Sequence, residues 1–308
     1  MRIVFMGTPD FAVPSLDKLV RNGYDIAAVI TSPDSYGGRG GKQLIESAVK
    51  RYAVEHNLKI LQPERLKNPD FLSELRALNA DVQIVVAFRM LPEVVWNMPP
   101  LGTFNLHGSL LPKYRGAAPI NWAIINGERE TGVTAFKLQH EIDTGDIVLQ
   151  EKIPIYEDDN AGTLHDRMMI TGSEVILKTI RMLEAGNITF IRQSDAEATL
   201  APKIYHETCK INFMLSTVQV YNFIRGLSPY PGAWLILDDK ECKITSSKKL
   251  SAKTENPPGR IITDQRRFLH IATSDGLISI EEIKMEGKRK MGIAEFLNGY
   301  RIKSNSVG

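Results

Sequence analysis

Along the first half of the chain, short unbroken apolar runs alternate with stretches whose hydrophobic residues recur every three or four positions. Residues 2–6 (RIVFM) form an apolar run that stops at Gly7, Thr8 and Pro9, which predicts a buried strand and a turn. Phe11, Leu16, Leu19 and Val20 then fall at helical spacing, and Gly23 closes that helix. The same reading predicts a strand over 25–32, a helix over 47–57, a brief strand over 59–63 and a helix over 69–79. Residues 81–88 (DVQIVVAF) are the strongest apolar strand of the chain. Further on, 102–109 predicts a strand ending near His107, 118–127 a helix, 131–138 and 146–155 strands, and 162–187 the longest helix. Gly172 interrupts the apolar spacing of that helix without having to end it.

Repeated strand–helix alternation implies parallel strands joined by helical crossovers, an α/β fold with a Rossmann-like, mostly parallel sheet. Such sheets hold their ligands in the crevice beyond the carboxyl ends of the strands. The first strand leads into GTPDF, which lacks the other glycines of a dinucleotide-binding turn.

Periodicity fades over 193–207, where small polar residues take over. A helix follows over 216–227, then short runs at 233–237, 241–247, 259–263, 268–276 and 277–287 separated by turn signals. That pattern predicts a small antiparallel β-barrel of OB-like type. The 308 residues thus divide into an N-terminal catalytic domain over 1–190, a linker over 191–206 and a basic barrel over 207–308.

Composition narrows the class. Hydrophobic residues make up 43% and charged residues 24%, the balance of a globular protein with ample core. Cys209 and Cys242 show no metal-ligand spacing and read as reduced thiols. The N-terminus is too short for a secretory apolar segment, and no 18-residue apolar run appears, so a cytoplasmic protein is expected. The formal net charge is +2, but 203–308 holds 17 Lys and Arg against 11 Asp and Glu, a net of +6 that leaves −4 on the rest. A basic C-terminal part fits a polyanion partner or an ordinary solvated surface.

The candidate chemistry lies in NLHGSLLPKYRGAAP, residues 105–119. Asn105 and His107 are two apart on a strand and so face the same side, at the end where ligands bind. An imidazole suits proton transfer near neutral pH, and an asparagine amide can donate to a developing oxyanion. Either residue alone also fits a structural role. Together they are two polar groups that are costly to bury without a task. In the turn at 143–146, Asp143 or Asp146 offers a carboxylate partner for His107, with an Asx-type turn as the plain alternative. His140 is a further base that nothing local singles out. The loop SYGGRGGKQ, residues 35–43, places Arg39 and Lys42 among glycines, but Gln43 stands where a phosphate-cradling loop needs Ser or Thr. It reads as a basic arm for a nucleic acid or as a plain surface loop.

FMGTPDFAVPSL, NLHGSLLPKYRGAAPINWAIINGERETGVT and DTGDIV, in this order, together with RGLSPYPGAW near the C-terminus, closely resemble the methionyl-tRNA formyltransferases, a family of folate-dependent formyltransferases. The resemblance covers nearly the whole chain. It implies an enzyme that takes a formyl group from 10-formyltetrahydrofolate and places it on the α-amino group of methionine on initiator tRNA, without a metal. It implies Asn105, His107 and Asp143 as the catalytic set. Ser109, Leu110, Leu111 and Pro112 would line the folate site, beside Phe88, Arg89, Met90 and Leu91. Arg39 and Lys42 would reach the tRNA, and a monomer with no membrane attachment is expected. The segment VAFRMLP departs from the family's V-A-Y-G-x-x-L-P, being one residue shorter with Arg89 in place of glycine. Two rival readings stand beside it: a formyltransferase for a small amine such as an amino-sugar nucleotide, and a non-catalytic RNA- or nucleotide-binding module. Whether Lys113 and Arg115 face a tRNA or the solvent stays open, as does the first proton acceptor.

Overall fold

The computed structural model describes all residues of the chain except 38–40, 42 and 252–253. Two compact units are present. One comprises Met1–Gly116, Gly132–Ile153 and His165–Leu200, the other Ala117–Thr131, Pro154–Leu164 and Ala201–Gly308.

The first unit is built on a seven-stranded sheet. Its strands are β1 (Arg2–Gly7), β2 (Asp25–Ile30), β3 (Ile60–Leu61), β4 (Val82–Val86), β5 (Thr103–His107), β6 (Glu130–Lys137) and β7 (Ile147–Pro154), in the spatial order β7-β6-β5-β4-β1-β2-β3. β1 runs parallel to β2 and β4, β2 to β3 and β4 to β5, while β6 is antiparallel to β5. The chain therefore builds outward from β1 in one direction and then returns to build in the other. The carboxyl ends of β1, β4 and β5 flank that reversal, where open α/β sheets bind their ligands.

Local chemistry explains the elements. β4 is buried at every position, and β1 at all but its first, so both read as continuous apolar runs, as strands covered on both faces do. Helix Ala48–Glu55 starts at Ser47, whose hydroxyl accepts the Lys50 N–H, and Pro69–Ala77 starts at Asn68 with proline in its first turn. Helix Ala161–Glu184 runs through Gly172. A Cβ there would lie 2.5 Å from Leu106 Cδ2, so the glycine lets the helix press onto β5 between Asn105 and His107. The glycine-rich loop begins and ends as a small antiparallel hairpin, Ser35–Gly37 against Gln43–Ile45.

In the second unit, β8 (Ala233–Leu237), β9 (Lys240–Leu250), β10 (Ile261–Thr263), β11 (Leu269–Ala272) and β12 (Leu277–Met285) form an antiparallel sheet in the order β8-β9-β12-β11-β10. The sheet is curled, and the last residues bridge its edges. Asn305 and Val307 bond to Ile261 and Gly259 beside β10, and Gly308 exchanges two hydrogen bonds with Ile236 of β8. The core is aliphatic, with Val220, Ile224, Leu235, Ile244, Ile271, Ile280 and Ile283 among its buried members. Cys209 and Cys242 are buried in it as free thiols, and burial pushes Cys242 up to about 12.

Asp238, at the β8–β9 turn, ties this sheet to the C-terminal segment. Its carboxylate accepts from the Ser304 hydroxyl and amide, the Lys303 amide and the Tyr300 hydroxyl. Burial raises this carboxyl, but the hydrogen bonds outweigh burial and hold it at about 2, below the ordinary 3.8. The folded state thus binds the proton less readily than the unfolded chain. The stability Asp238 contributes is complete above the unfolded value and fades as pH falls toward 2. Asp238→Asn should therefore destabilise the protein at neutral pH, with the deficit shrinking as pH falls from about 4 to about 2. Urea titrations across that range measure it, and a deficit independent of pH would refute the assignment.

Candidate active site

β5 delivers Asn105 and His107 to the carboxyl edge of the sheet. In register, Asn105 lies between Val85 of β4 and Phe136 of β6, and His107 lies opposite Thr134. Asn105 is half-buried, and its amide has no hydrogen-bond partner among the described residues. His107 is 6% exposed. Its Nε2 is 2.8 Å from the Tyr114 carbonyl oxygen. A carbonyl can only accept, so Nε2 carries a proton and Nδ1 is the ring nitrogen that gains or loses one. Nδ1 faces Asp143 Oδ2 at 3.6 Å. Asp143 is the carboxylate beside the imidazole, whereas Asp146 is half-buried nearby in the chain and His140 is exposed.

Two loops frame this pair. The first, 109–116, is fixed by Thr134. Its hydroxyl donates to the Ser109 carbonyl at 2.6 Å and accepts the Leu111 N–H at 3.1 Å. Gln150 donates to the Leu111 carbonyl at 2.8 Å, and the Tyr114 N–H donates to the Thr199 hydroxyl at 2.8 Å. Ser109 and Leu111 face inward. Ser109 is fully buried with its hydroxyl on the Lys113 carbonyl, and Leu111 packs on Phe136 and Ile147. Leu110 and Pro112 are half-buried, so the side chains this stretch presents outward are these two.

The second loop carries Asp143 at φ +55°, a conformation that aspartate tolerates better than most residues. The Gly116 N–H donates to its Oδ2 at 2.9 Å. At Gly145 a Cβ would lie 1.7 Å from the Lys137 carbonyl oxygen, so only glycine lets the loop lie against β6. Gln193 donates to the carbonyls of Asp143 and Gly145 and accepts two hydrogen bonds from Arg115. Lys113 is exposed. Arg115 is instead bound to Gln193 and, at 2.9 Å, to Asp195.

Residues 88–91 leave the carboxyl end of β4, next to that of β5. Leu91 is buried and Phe88 packs against the same core, while Met90 is 73% exposed. Arg89 donates to the Pro63 and Glu64 carbonyls, and burial lowers its guanidinium below the usual value. Arg89 thus links the β4 exit to the segment after β3. Arg39 and Lys42 lie outside the described residues. The residues that sequence patterning missed are Thr134, Gln150, Gln193 and Thr199. Each is a small or neutral polar residue whose partner is distant in the chain.

An α/β sheet followed by a curled antiparallel β-unit is the fold of the formyltransferases. Residues 1–180 match the family described as formyl transferase, and 203–301 match its C-terminal domain, so the chain belongs to that family. Within it, the chain is 52% identical to the methionyl-tRNA formyltransferase of Parabacteroides distasonis, over 100% of this chain and 98% of that protein. It is a member of the methionyl-tRNA formyltransferase family. Among solved structures, it shares its fold with WlaRD, a sugar 3N-formyl transferase crystallised in the presence of dTDP and 5-N-formyl-THF. That match has a TM-score of 0.69 at 23% identity and covers 94% of this chain and 99% of that one. It also shares its fold with methionyl-tRNA formyltransferase from Clostridium thermocellum, with a TM-score of 0.57 at 17% identity over 82% of this chain and 95% of that one. No helix among the described residues is long and apolar enough to cross a membrane.

The Thr134 hydroxyl bridges two buried backbone groups, so its loss should be felt. Thr134→Val, nearly isosteric, leaves the Leu111 N–H and the Ser109 carbonyl short of a partner and should cost about 1–3 kcal/mol. Thr134→Ser should cost about 1 kcal/mol or less. Denaturant titrations of the two variants measure the difference, and equal stabilities would contradict the bridging role.

Proposed function

We propose that the chain transfers the formyl group of 10-formyltetrahydrofolate to the α-amino group of methionine on initiator methionyl-tRNA. The observation that carries this is the imidazole Nδ1 of His107 facing Asp143 at 3.6 Å, with the free amide of Asn105 two residues away. Family membership over the full chain supports the same acceptor and donor.

The donor supplies a formyl carbon that the amine nitrogen attacks, and charge collects on the formyl oxygen. Asn105 is suited to donate its N–H to that oxygen, since no group among the described residues competes for it. The nucleophile must also shed a proton. Nδ1 of His107 takes part in that transfer, with its tautomer set by the Tyr114 carbonyl and its charge balanced by Asp143. As the tetrahedral intermediate collapses, the bond from the formyl carbon to the donor nitrogen breaks, that nitrogen takes up a proton and tetrahydrofolate leaves. The half-buried Leu110 and Pro112, with Phe88 and Leu91 at the neighbouring strand end, suit the flat ring faces of the donor. Ser109 and Leu111, which face inward, would contribute through their backbone. Arg89 and the exposed Met90 would lie at the rim.

On this reading, residues 1–190 are the catalytic domain, 191–206 connect, and 207–308 bind tRNA through their positive charge. The basic arm residues Arg39 and Lys42 would assist on phosphates. The enzyme acts as a cytoplasmic monomer.

The test offers purified protein 10-formyltetrahydrofolate with charged initiator tRNA and an amino-sugar nucleotide side by side. Formylation of the methionyl-tRNA alone is expected. Formylation of the sugar amine with untouched tRNA, or no formylation of either, would overturn the proposal.

A further inference from the structure

We propose that Gln193 is a positioning residue for Asp143, and through it for the proton-handling nitrogen of His107. The inference rests on the catalytic reading above and names a part of the site that its three residues leave out.

Gln193 is 7% exposed, and its amide is fully used. Its two N–H bonds go to the main-chain carbonyls of Asp143, at 2.8 Å, and Gly145, at 2.7 Å. Its oxygen accepts from Arg115 Nε at 3.0 Å and Nη2 at 2.9 Å. Two donors and two lone pairs are all that a carboxamide has. Arg115 is in turn anchored by Asp195, and the residue that follows it, Gly116, donates to the Asp143 carboxylate. The contacts close a ring. The backbone of Asp143 is held by Gln193, its carboxylate by Gly116, and the two holders are joined through Arg115. The ring holds Asp143 in the sparsely populated φ +55° conformation, which persists only where its surroundings over-determine it. It also gives Arg115 a task within the protein and so removes it as a free cation for a polyanion.

Gln193→Glu separates the two halves of this role. The carboxylate keeps and strengthens the Arg115 side. On the other side it sets an oxygen against the carbonyls of Asp143 and Gly145, so the loop shifts while the anchor stays. Gln193→Met, similar in length and without hydrogen bonds, serves as the second variant if the first does not fold. The experiment measures steady-state formyl transfer by the parent, Gln193→Glu, Gln193→Met, Asp143→Ala and the Gln193→Glu/Asp143→Ala double variant.

The expected result is a kcat roughly 10- to 100-fold lower in each Gln193 variant, with KM for both substrates within about twofold of the parent. The double variant should be no slower than Asp143→Ala alone, because Gln193 acts through Asp143. Gln193 variants with kcat within about twofold of the parent would overturn the inference. So would losses that multiply in the double variant, or a KM that rises in step with the loss. An Asp143→Ala protein of near-parental rate would overturn the catalytic reading and this inference together. An impaired Asp143→Ala beside unimpaired Gln193 variants would overturn this inference alone.

Discussion

The site depends on one backbone carbonyl. The Tyr114 oxygen, 2.8 Å from His107 Nε2, decides which imidazole nitrogen carries a fixed proton and which is free to exchange one. Without it the ring could rotate or change tautomer, and the carboxylate at 3.6 Å would face no fixed ring nitrogen. That carbonyl is placed by a loop, and a loop holds a carbonyl to within a few tenths of an ångström only when its own polar groups are bound. Thr134 and Gln150 hold one end of it, Thr199 the other, and Asp143 accepts the Gly116 amide where the loop closes. Such networks are strong when complete and costly when one member is lost.

Rigidity below the site comes from packing. β5 is covered on both sides, and Gly172 allows the long helix to press on Leu106, the residue between Asn105 and His107. Catalytic geometry is best kept by groups on regular elements, with loops adding the parts that must bend. Here the amide and the imidazole ride on a strand, and the carboxylate rides on a turn whose left-handed aspartate and close-packed glycine leave little freedom.

The strand alternation, the parallel sheet and the Asn105–His107 pair were legible because each is a local pattern of period two or an apolar run. The β-rich C-terminal part was legible for the same reason, although the bridging of its edges by residues 305–308 involves pairings that no local pattern announces. Gln193 and Thr199 were not legible. They sit in a stretch of small polar residues that reads as a connection, and their partners lie about 50 to 85 positions away in sequence. Ser109 and Leu111 were legible as part of the motif, but not in their inward orientation, which Thr134 and the Phe136 contact impose. Whether Arg115 faces a tRNA or the solvent is open in the sequence; it is bound to Gln193 and Asp195, a contact that charge counting cannot reveal.

A single imidazole, fixed at one nitrogen and open at the other, is proposed to move the proton in formyl transfer. Single-turnover transfer by His107→Asn at saturating donor tests it most directly. The rate should fall by at least about 100-fold, with donor affinity within a few-fold of the parent. A His107→Asn protein that transfers formyl at close to the parental rate would contradict it.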